Sequence, residues 1–381
     1  MNASSTPTPR VGSQIPALTG VRALAAFLVF FHHNPTRLLV VGPLSLYWEL
    51  HIGVTLFFVL SGFVITWRYD RPGRQPESFL RGYFVNRVAR IYPLYLALAV
   101  PTMLFWRERS VGVWFLNLTV FSCFHSGIPQ AWSLRVEECF YLAAPLIFLA
   151  WRRHPLLPLG IAAALLAALC PVAKWFVVDE PLAPVAYLLL YTFAGRFFEF
   201  YVGIWLAKRV ARAEASDRVP GRLPLFTLAG GAGIGAVVVA LAALKARTGT
   251  DYTYGLDHPA GIALNNLVLP VFIAAFYWGL IRESTLLQRF LSTRFANLLG
   301  RSSYAFYLIH LGVARDYMLA AFVSAASLLG ATAGAAANRM VHHVGGLFLL
   351  VNLFAILLYE LIEAPANRLL RRMFARPVAA L

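Results

Sequence analysis

Charge is what this sequence has least of. Only 13% of its 381 residues are Asp, Glu, Lys or Arg, against about a quarter in a soluble domain, while 59% are hydrophobic and the mean hydropathy is +0.67. Too little polar surface remains to cover a water-soluble globule, so the composition describes a polytopic integral membrane protein. Acidic residues are the scarcer sign, 17 against 33 Lys plus Arg, giving a net charge of +16. That balance first raises nucleic-acid binding. Cysteine is nearly absent. Cys123, Cys139 and Cys170 lie far apart, with no C-x-x-C pair and no His at finger spacing, which argues against a disulfide framework and a zinc or other metal site. They read as inert small hydrophobes. No repeat with a period of about 20 to 50 residues is visible, and no soluble domain longer than a loop.

What the chain does have is long apolar runs. After a Ser/Thr/Pro-rich polar tail over residues 1–16, expected to be disordered, the run from Ala23 to Phe31 has the length of a signal peptide. It is followed by His32-His33-Asn34-Pro35 rather than a small-x-small cleavage site, which favours a retained span. Ten candidate spans follow the requirement for about 20 apolar residues: 17–34, 46–67, 91–106, 134–151, 156–177, 187–207, 224–245, 261–281, a long interrupted one over 300–330, and 345–365. Residues 111–124 are semi-hydrophobic and suit a re-entrant or interfacial segment. With the N-terminus inside, the cytoplasmic segments hold 23 of the 33 basic residues, including six Arg from Arg68 to Arg90 and five basic residues from Lys208 to Arg222. Acidic tracts at Asp179-Glu180 and Asp251 to Asp257 fall outside. The positive charge is therefore a topology signal, and nucleic acid drops out as a partner. The expected fold is an all-α bundle of about ten transmembrane helices over residues 17–368, with a basic tail over 369–381 and both termini cytoplasmic.

Ionisable residues inside such spans are costly and usually face the bundle interior or a wet cavity. Arg22 and His33 share one face of the first span, about 20° apart around the helix and about 16 Å apart along it. His32 is rotated about 100° away. From spacing alone, the pair could equally be Arg22 snorkelling to the inner headgroups and His33 satisfied at the outer interface. Ser133, Glu137 and Tyr141 form a polar stripe in the fourth span, and Ser303, Tyr307 and His310 another in the ninth. Arg196 and Glu199, at i, i+3, read as an internal ion pair. Four helices with polar faces predict a polar cavity within the bundle. In the loop ending Asn86-Arg87-Val88-Ala89-Arg90, two guanidiniums at i, i+3 could clamp phosphates of a nucleotide-like cofactor or bind anionic lipid. Gly230, Gly231, Gly233 and Gly235 fit no phosphate-binding spacing and favour close helix packing.

Several stretches, taken in order, resemble the acyltransferase 3 family of multi-pass membrane O-acyltransferases. They are Leu18-Thr19-Gly20-Val21-Arg22-Ala23-Leu24-Ala25-Ala26, with ten residues between Arg22 and His33; Phe57-Phe58-Val59-Leu60-Ser61-Gly62-Phe63; and Arg87-x-x-Arg90-Ile91-Tyr92-Pro93. Further on come Trp132-Ser133-Leu134-x-Val136-Glu137-Glu138, Phe198-Glu199-Phe200-x-x-Gly203, Gly300-Arg301-x-Ser303-Tyr304-x-x-Tyr307-Leu308-x-His310, and Glu363-x-Pro365-x-x-Arg368. The resemblance implies a ten-helix enzyme of the cell's cytoplasmic (inner) membrane. Such an enzyme moves an acyl group, most often acetyl, from cytoplasmic acyl-CoA to a hydroxyl, commonly on a cell-surface sugar or exopolysaccharide. It implies His33 as the leading catalytic residue, Arg22 as its motif partner, and Arg87 and Arg90 as the site for coenzyme phosphates. A Gly-Phe-x-x-x-Arg pattern of some members would need Arg at 67, where this chain has Trp67 with Arg68 one place later, so the role of Arg68 is in doubt. Some relatives carry a further hydrolase-like domain, and this chain is expected to act alone or with a separate extracytoplasmic transferase.

A thioester is already activated, so the enzyme's work is to position the acceptor hydroxyl and remove its proton, which a neutral imidazole does near pH 7. At about 16 Å and an effective dielectric near 20, Arg22 could change the energy of a charge at His33 by only about 1 kcal/mol. Arg22 is better suited to holding the coenzyme or a carboxylate. Glu137 is a candidate to orient His33 or to carry the proton away, and an acyl-histidine intermediate is open as well. Glu199, Tyr307, His310, Ser133 and Tyr141 are candidate substrate-cavity residues. The acceptor could instead be a small hydroxylated metabolite such as a macrolide. From another class, a secondary transporter or glycan flippase would also place charges inside the bundle, although no inverted repeat is visible.

Overall fold

The computed structural model of the chain describes residues 14–36, 39–70, 76–105, 111–112, 114, 128–173, 183–214, 224–248 and 253–374. Cys123, Asp179-Glu180, Asp251, most of the 111–124 segment and most of both tails lie outside the described residues. The described residues are almost wholly helical. The helices are α1 (Pro16–His33), α2 (Gly53–Tyr69), α3 (Pro76–Phe105), α4 (Trp132–Arg153), α5 (Leu157–Ala173), α6 (Ala183–Tyr191) and α7 (Phe197–Glu214). They continue as α8 (Leu225–Thr248), α9 (Pro259–Arg282), α10 (Leu286–Leu291), α11 (Arg294–Ile309), α12 (Val313–Leu328), α13 (Ala331–His342) and α14 (Val344–Phe374). A small antiparallel hairpin, β1 (Val40–Val41) with β2 (Leu44–Ser45), and a tight turn of helix at Leu46–Ile52 join α1 to α2.

The chain is an all-α membrane protein. Among the described residues, α1, Leu46–Tyr69, α8, α9 and α14 are each long and apolar enough to cross a bilayer, and α11 with α12 makes a sixth if the bent pair is one span. Large apolar side chains such as Leu146 and Leu349 stand exposed on the outside, costly in water and at home against lipid tails.

The structure differs from the expected spans in three places. The segment carrying Arg87 and Arg90 is not a loop: both lie on α3, which starts at Pro76. The expected span 187–207 is broken between Tyr191 and Phe197. The expected span 300–330 bends by 101° after Ile309, at a point where Gly312 has φ +90°, a conformation that L side chains rarely adopt.

A break at membrane depth must find partners for its freed backbone groups. Asn266, on a π turn within α9, supplies them by donating Nδ2 to the carbonyls of Leu189 (2.8 Å) and Gly195 (3.3 Å). Asn265 donates to Asn266 Oδ1 at 2.8 Å, Thr55 Oγ1 donates to Asn265 Oδ1 at 3.2 Å, and Arg196 donates to Thr55 at 3.0 Å. Arg196 then closes the network on Glu199 at 2.7 Å, both side chains buried. The i, i+3 pair is therefore as the sequence suggested, and Glu199 does not line the cavity described below: its carboxylate is held by Arg196, in the turn that precedes α7. Thr55→Val keeps the shape and deletes the bridging hydroxyl. We expect it to cost about 1–3 kcal/mol, from the buried groups left short of a partner, read as a lower unfolding temperature in detergent.

Glycine sets the closest helix crossings. A Cβ on Gly62 of α2 would lie 2.2 Å from the Phe200 carbonyl oxygen, and one on Gly203 of α7 would lie 2.1 Å from that of Val59. Between α8 and α9, a Cβ on Gly230 would sit 2.3 Å from Phe276 N, and one on Gly233 would meet the Phe272 ring at 2.1 Å. Gly231 and Gly235 face open space. Only the two glycines three apart share the buried face, so the expected packing role holds for half of that cluster. Stacked rings of Phe140 and Phe200 (4.4 Å) and of Phe58 and Phe200 (4.8 Å) fill the centre where α2, α4 and α7 meet.

Candidate active site

Helices α1 and α11 run side by side in the same direction. Their backbones meet where a Cβ on Gly300 would lie 1.9 Å from the Thr19 carbonyl oxygen. From that crossing the two polar stripes fall into register. Arg22 Nε donates to Ser303 Oγ at 3.4 Å, the Phe27 and Phe306 rings pack edge-on at 5.3 Å, and His33 Nδ1 lies 3.2 Å from His310 Nε2.

Beside this seam is a cavity with a polar half formed by Arg22, Ser61, Arg87, Ser133, Glu137, Tyr141, Ser303 and Tyr307. Its apolar half includes Val54, Phe57, Phe58 and Leu60 from α2. The stripe Ser133, Glu137, Tyr141 faces the cavity as expected, one member per helical turn. Ser133 Oγ and Tyr307 Oη share a hydrogen bond of 2.7 Å. Glu137 accepts short hydrogen bonds from Ser61 and Tyr141. Glu137 Oε1 is engaged by those two hydroxyls, and the ring beside His33 is His310.

His33 ends α1 and is exposed, with Nδ1 3.0 Å from the Val29 carbonyl. His32 is buried and packs its ring against His51 and Tyr254, at 5.6 and 5.2 Å. Helical geometry separated these two neighbours correctly. His310 does not line the cavity; it stands beyond Tyr307, whose ring lies 5.4 Å from its own.

The expected arginine pair splits. Arg87 faces the cavity with its guanidinium 5.6 Å from the Tyr69 ring and 5.2 Å from the Tyr141 ring, and its Nε is buried without a hydrogen bond. Arg90 forms a short ion pair with Glu363, which is 1% exposed, and sits over the Tyr304 ring. Arg87 thus lines the cavity between two tyrosine rings, while Arg90 is spent on a buried carboxylate. Arg68 is exposed and lies 5.6 Å from the same Tyr69 ring as Arg87. Arg371 is within electrostatic reach of Arg68, Arg87 and Arg90, and its Nε also lacks a hydrogen bond. Sequence reasoning missed Arg371, Glu363 and Ser61. Glu363 and Ser61 stood inside quoted motifs, and Arg371 follows Arg368 by three residues on α14, a spacing that could have drawn attention to it. The chemistry of this arginine set fits the phosphates of an acyl donor such as acyl-CoA, with planar donors suited to paired oxygens.

Arg22 and Arg87 line the polar cavity and the histidine pair stands beyond Tyr307; a comparison with known families says which chemistry such a site belongs to. The family model of an acyltransferase domain matches residues 15–360, nearly the whole chain. The chain belongs to the acyltransferase 3 family. Among the curated relatives of this acyltransferase domain, Acyltransferase MdmB of Streptomyces mycarofaciens is 29% identical over 97% of this chain and 95% of its own length. The putative peptidoglycan O-acetyltransferase YrhL of Bacillus subtilis is 26% identical over 96% of this chain but only 56% of its own length. Peptidoglycan O-acetyltransferase OatA of Listeria monocytogenes is 29% identical over 40% of this chain and 27% of its own. No solved structure matches the chain.

Proposed function

We propose that the protein is an O-acyltransferase of the cell's cytoplasmic membrane that moves an acyl group, acetyl in the simplest case, from cytoplasmic acyl-CoA to a hydroxyl of a surface or exopolysaccharide sugar. The observation that carries this reading is the placement of the cavity. Arg87 lines it, with Arg68 at the same Tyr69 ring and Arg371 within electrostatic reach of both, while Ser133 and Tyr307 on its lining lead to His310 and His33. Arg87, with Arg68 and Arg371 near it, holds the donor's phosphates; Arg22 holds an oxygen of the donor or partners a carboxylate, with Glu137 across the cavity. His33 takes the proton of the acceptor hydroxyl as its oxygen attacks the thioester carbon. The names of MdmB, YrhL and OatA support acyl transfer, and the last two support oxygen as the acceptor atom. The acceptor class is tested by mass spectrometry of surface glycans and lipids from cells with and without the gene. Loss of an O-acyl mass increment from a glycan supports the sugar; loss from a small secreted metabolite moves the acceptor to that class, as would suit a macrolide.

The reading also needs a topology: ten crossings with both termini in the cytoplasm, so that the arginines face the cytoplasmic donor. The 23 basic residues of the inside segments support it, as does the common direction of α1 and α11, the first and ninth expected spans. Reporter fusions after Arg74, Arg212 and Arg294 are expected to read cytoplasm, and a fusion after Asp251 to read outside. An inverted pattern at two or more of these sites would remove the donor from the arginine flank.

A further inference from the structure

We infer that His310 is a positioning residue that, together with the Val29 carbonyl, fixes the tautomer of His33, leaving His33 Nε2 as the nitrogen that accepts the proton. The inference rests on the acyl-transfer reading for its consequence, but not for its geometry.

Two backbone carbonyls decide it. His310 Nδ1 lies 2.7 Å from the carbonyl oxygen of Tyr307. A carbonyl can only accept, so the proton of neutral His310 sits on Nδ1 and its Nε2 carries a lone pair. That lone pair faces His33 Nδ1 at 3.2 Å, and the Val29 carbonyl faces the same nitrogen at 3.0 Å. Both neighbours of His33 Nδ1 are acceptors, so Nδ1 must be the N–H and it is shared between them. The opposite assignment would set lone pair against lone pair at both carbonyl contacts. His33 Nε2 is left unprotonated, on an exposed ring at the end of α1.

The bend that carries His310 is itself held. Gln130 donates Nε2 to the carbonyls of Leu308 (2.7 Å) and Leu311 (3.1 Å), on either side of His310, and Arg315 donates to the His310 carbonyl at 3.3 Å. The 101° break between α11 and α12 thus has a use: it turns the chain just after the imidazole that supports the base.

In the transfer step, His33 Nε2 takes the proton of the acceptor hydroxyl while the hydroxyl oxygen bonds to the acyl carbon. The carbon–sulfur bond breaks, the thiolate leaves with its electron pair, and His33, now an imidazolium with N–H on both nitrogens, returns the Nε2 proton to the sulfur. Throughout, Nδ1–H keeps its bonds to His310 Nε2 and the Val29 carbonyl, so the developing imidazolium always has an acceptor. No proton passes on through His310, because the chain of bonds ends on the Tyr307 carbonyl, which cannot take one.

The test has an arm that needs no turnover. In solid-state nitrogen-15 NMR of histidine-labelled protein in liposomes, the His33 signals are assigned by their loss in His33→Gln. Wild type is expected to show neutral His33 with the proton on Nδ1; a proton on Nε2 overturns the inference. The second arm is kinetic, with acetyl-CoA hydrolysis by the purified protein as the readout. His310→Leu removes the acceptor and is expected to lower kcat by about 10- to 100-fold with KM for acetyl-CoA unchanged, the scale of losing an outer partner of an active imidazole. His310→Gln offers an amide oxygen at a similar reach and is expected to stay within about tenfold of wild type. A Gln variant as inactive as Leu, with the His33 tautomer unchanged, would make His310 an acid–base group in its own right and defeat the positioning role. Should wild type show no hydrolysis, the function proposed above fails while the NMR arm still decides the tautomer. Should His310→Leu not fold, His310→Ala takes its place with the same expected loss, and a kcat within about threefold of wild type in either variant overturns the positioning role.

Discussion

His33→Ala is expected to lower acyl transfer by about 10²- to 10⁴-fold, the contribution of a positioned base, with expression and acyl-CoA affinity near wild type. His32→Ala is expected to keep most activity. Two separate observations lead there. The face shared with Arg22 ends on His33, and the tertiary structure then gives the two histidines unlike surroundings. His33 is exposed beside His310, while His32 is 8% exposed and packed against His51 and Tyr254. A loss in His32→Ala should therefore appear in thermal unfolding rather than in turnover. His33→Gln is the sharper control, because it keeps a polar side chain of similar reach that cannot act as a base. An active Gln variant, or inactivity confined to His32→Ala, would return His33 to a packing role and move the chemistry elsewhere.

Arg87→Ala and Arg90→Ala, three residues apart on one helix, are expected to fail in different ways. Arg87 faces the cavity with a buried Nε that lacks a hydrogen bond, so its loss should weaken acyl-CoA binding by about 1.5–3 kcal/mol without loss of folded protein. Lys at 87 should rescue only in part, since an ammonium lacks the planar fork. Removing Arg90 strands the carboxylate of Glu363, which is 1% exposed, and an orphaned buried charge costs about 3 kcal/mol of stability. Arg90→Ala should accordingly unfold at lower temperature, and the double change Arg90→Met with Glu363→Leu should recover much of that loss. Binding isotherms and melting curves on the same preparations separate the two. Equal losses of affinity with unchanged melting would restore the symmetric phosphate clamp that the i, i+3 spacing suggested. Unchanged affinity in Arg87→Ala would turn the arginine flank into a lipid-binding surface.

Much of the site was readable in one dimension because helices convert spacing into direction. Ser133, Glu137 and Tyr141 do face one cavity, and Arg22 faces it as well. Spacing failed where a side chain had a competitor for its attention. Arg87 and Arg90 point to similar sides of α3, yet a carboxylate 273 residues away in sequence takes one of them and not the other. Glu199 looked like a cavity residue until the broken backbone between α6 and α7 drew Arg196, Thr55, Asn265 and Asn266 into one buried network around it.

The amino-acid sequence by itself determined the medium and the class of structure: too few charges for water, runs long enough to span lipid, and helices as the elements that satisfy their own backbone there. It also determined which residues share a helical face, and the ordered motifs pointed to the family. Only the tertiary structure decided which charges are free and which are paired, and which nitrogen of His33 carries a lone pair. The physical reason is that ionisation and hydrogen bonding depend on what stands within about 3 Å of an atom. In this chain those neighbours come from helices far apart in sequence: His310 for His33, Ser303 for Arg22, Ser61 for Glu137 and Glu363 for Arg90.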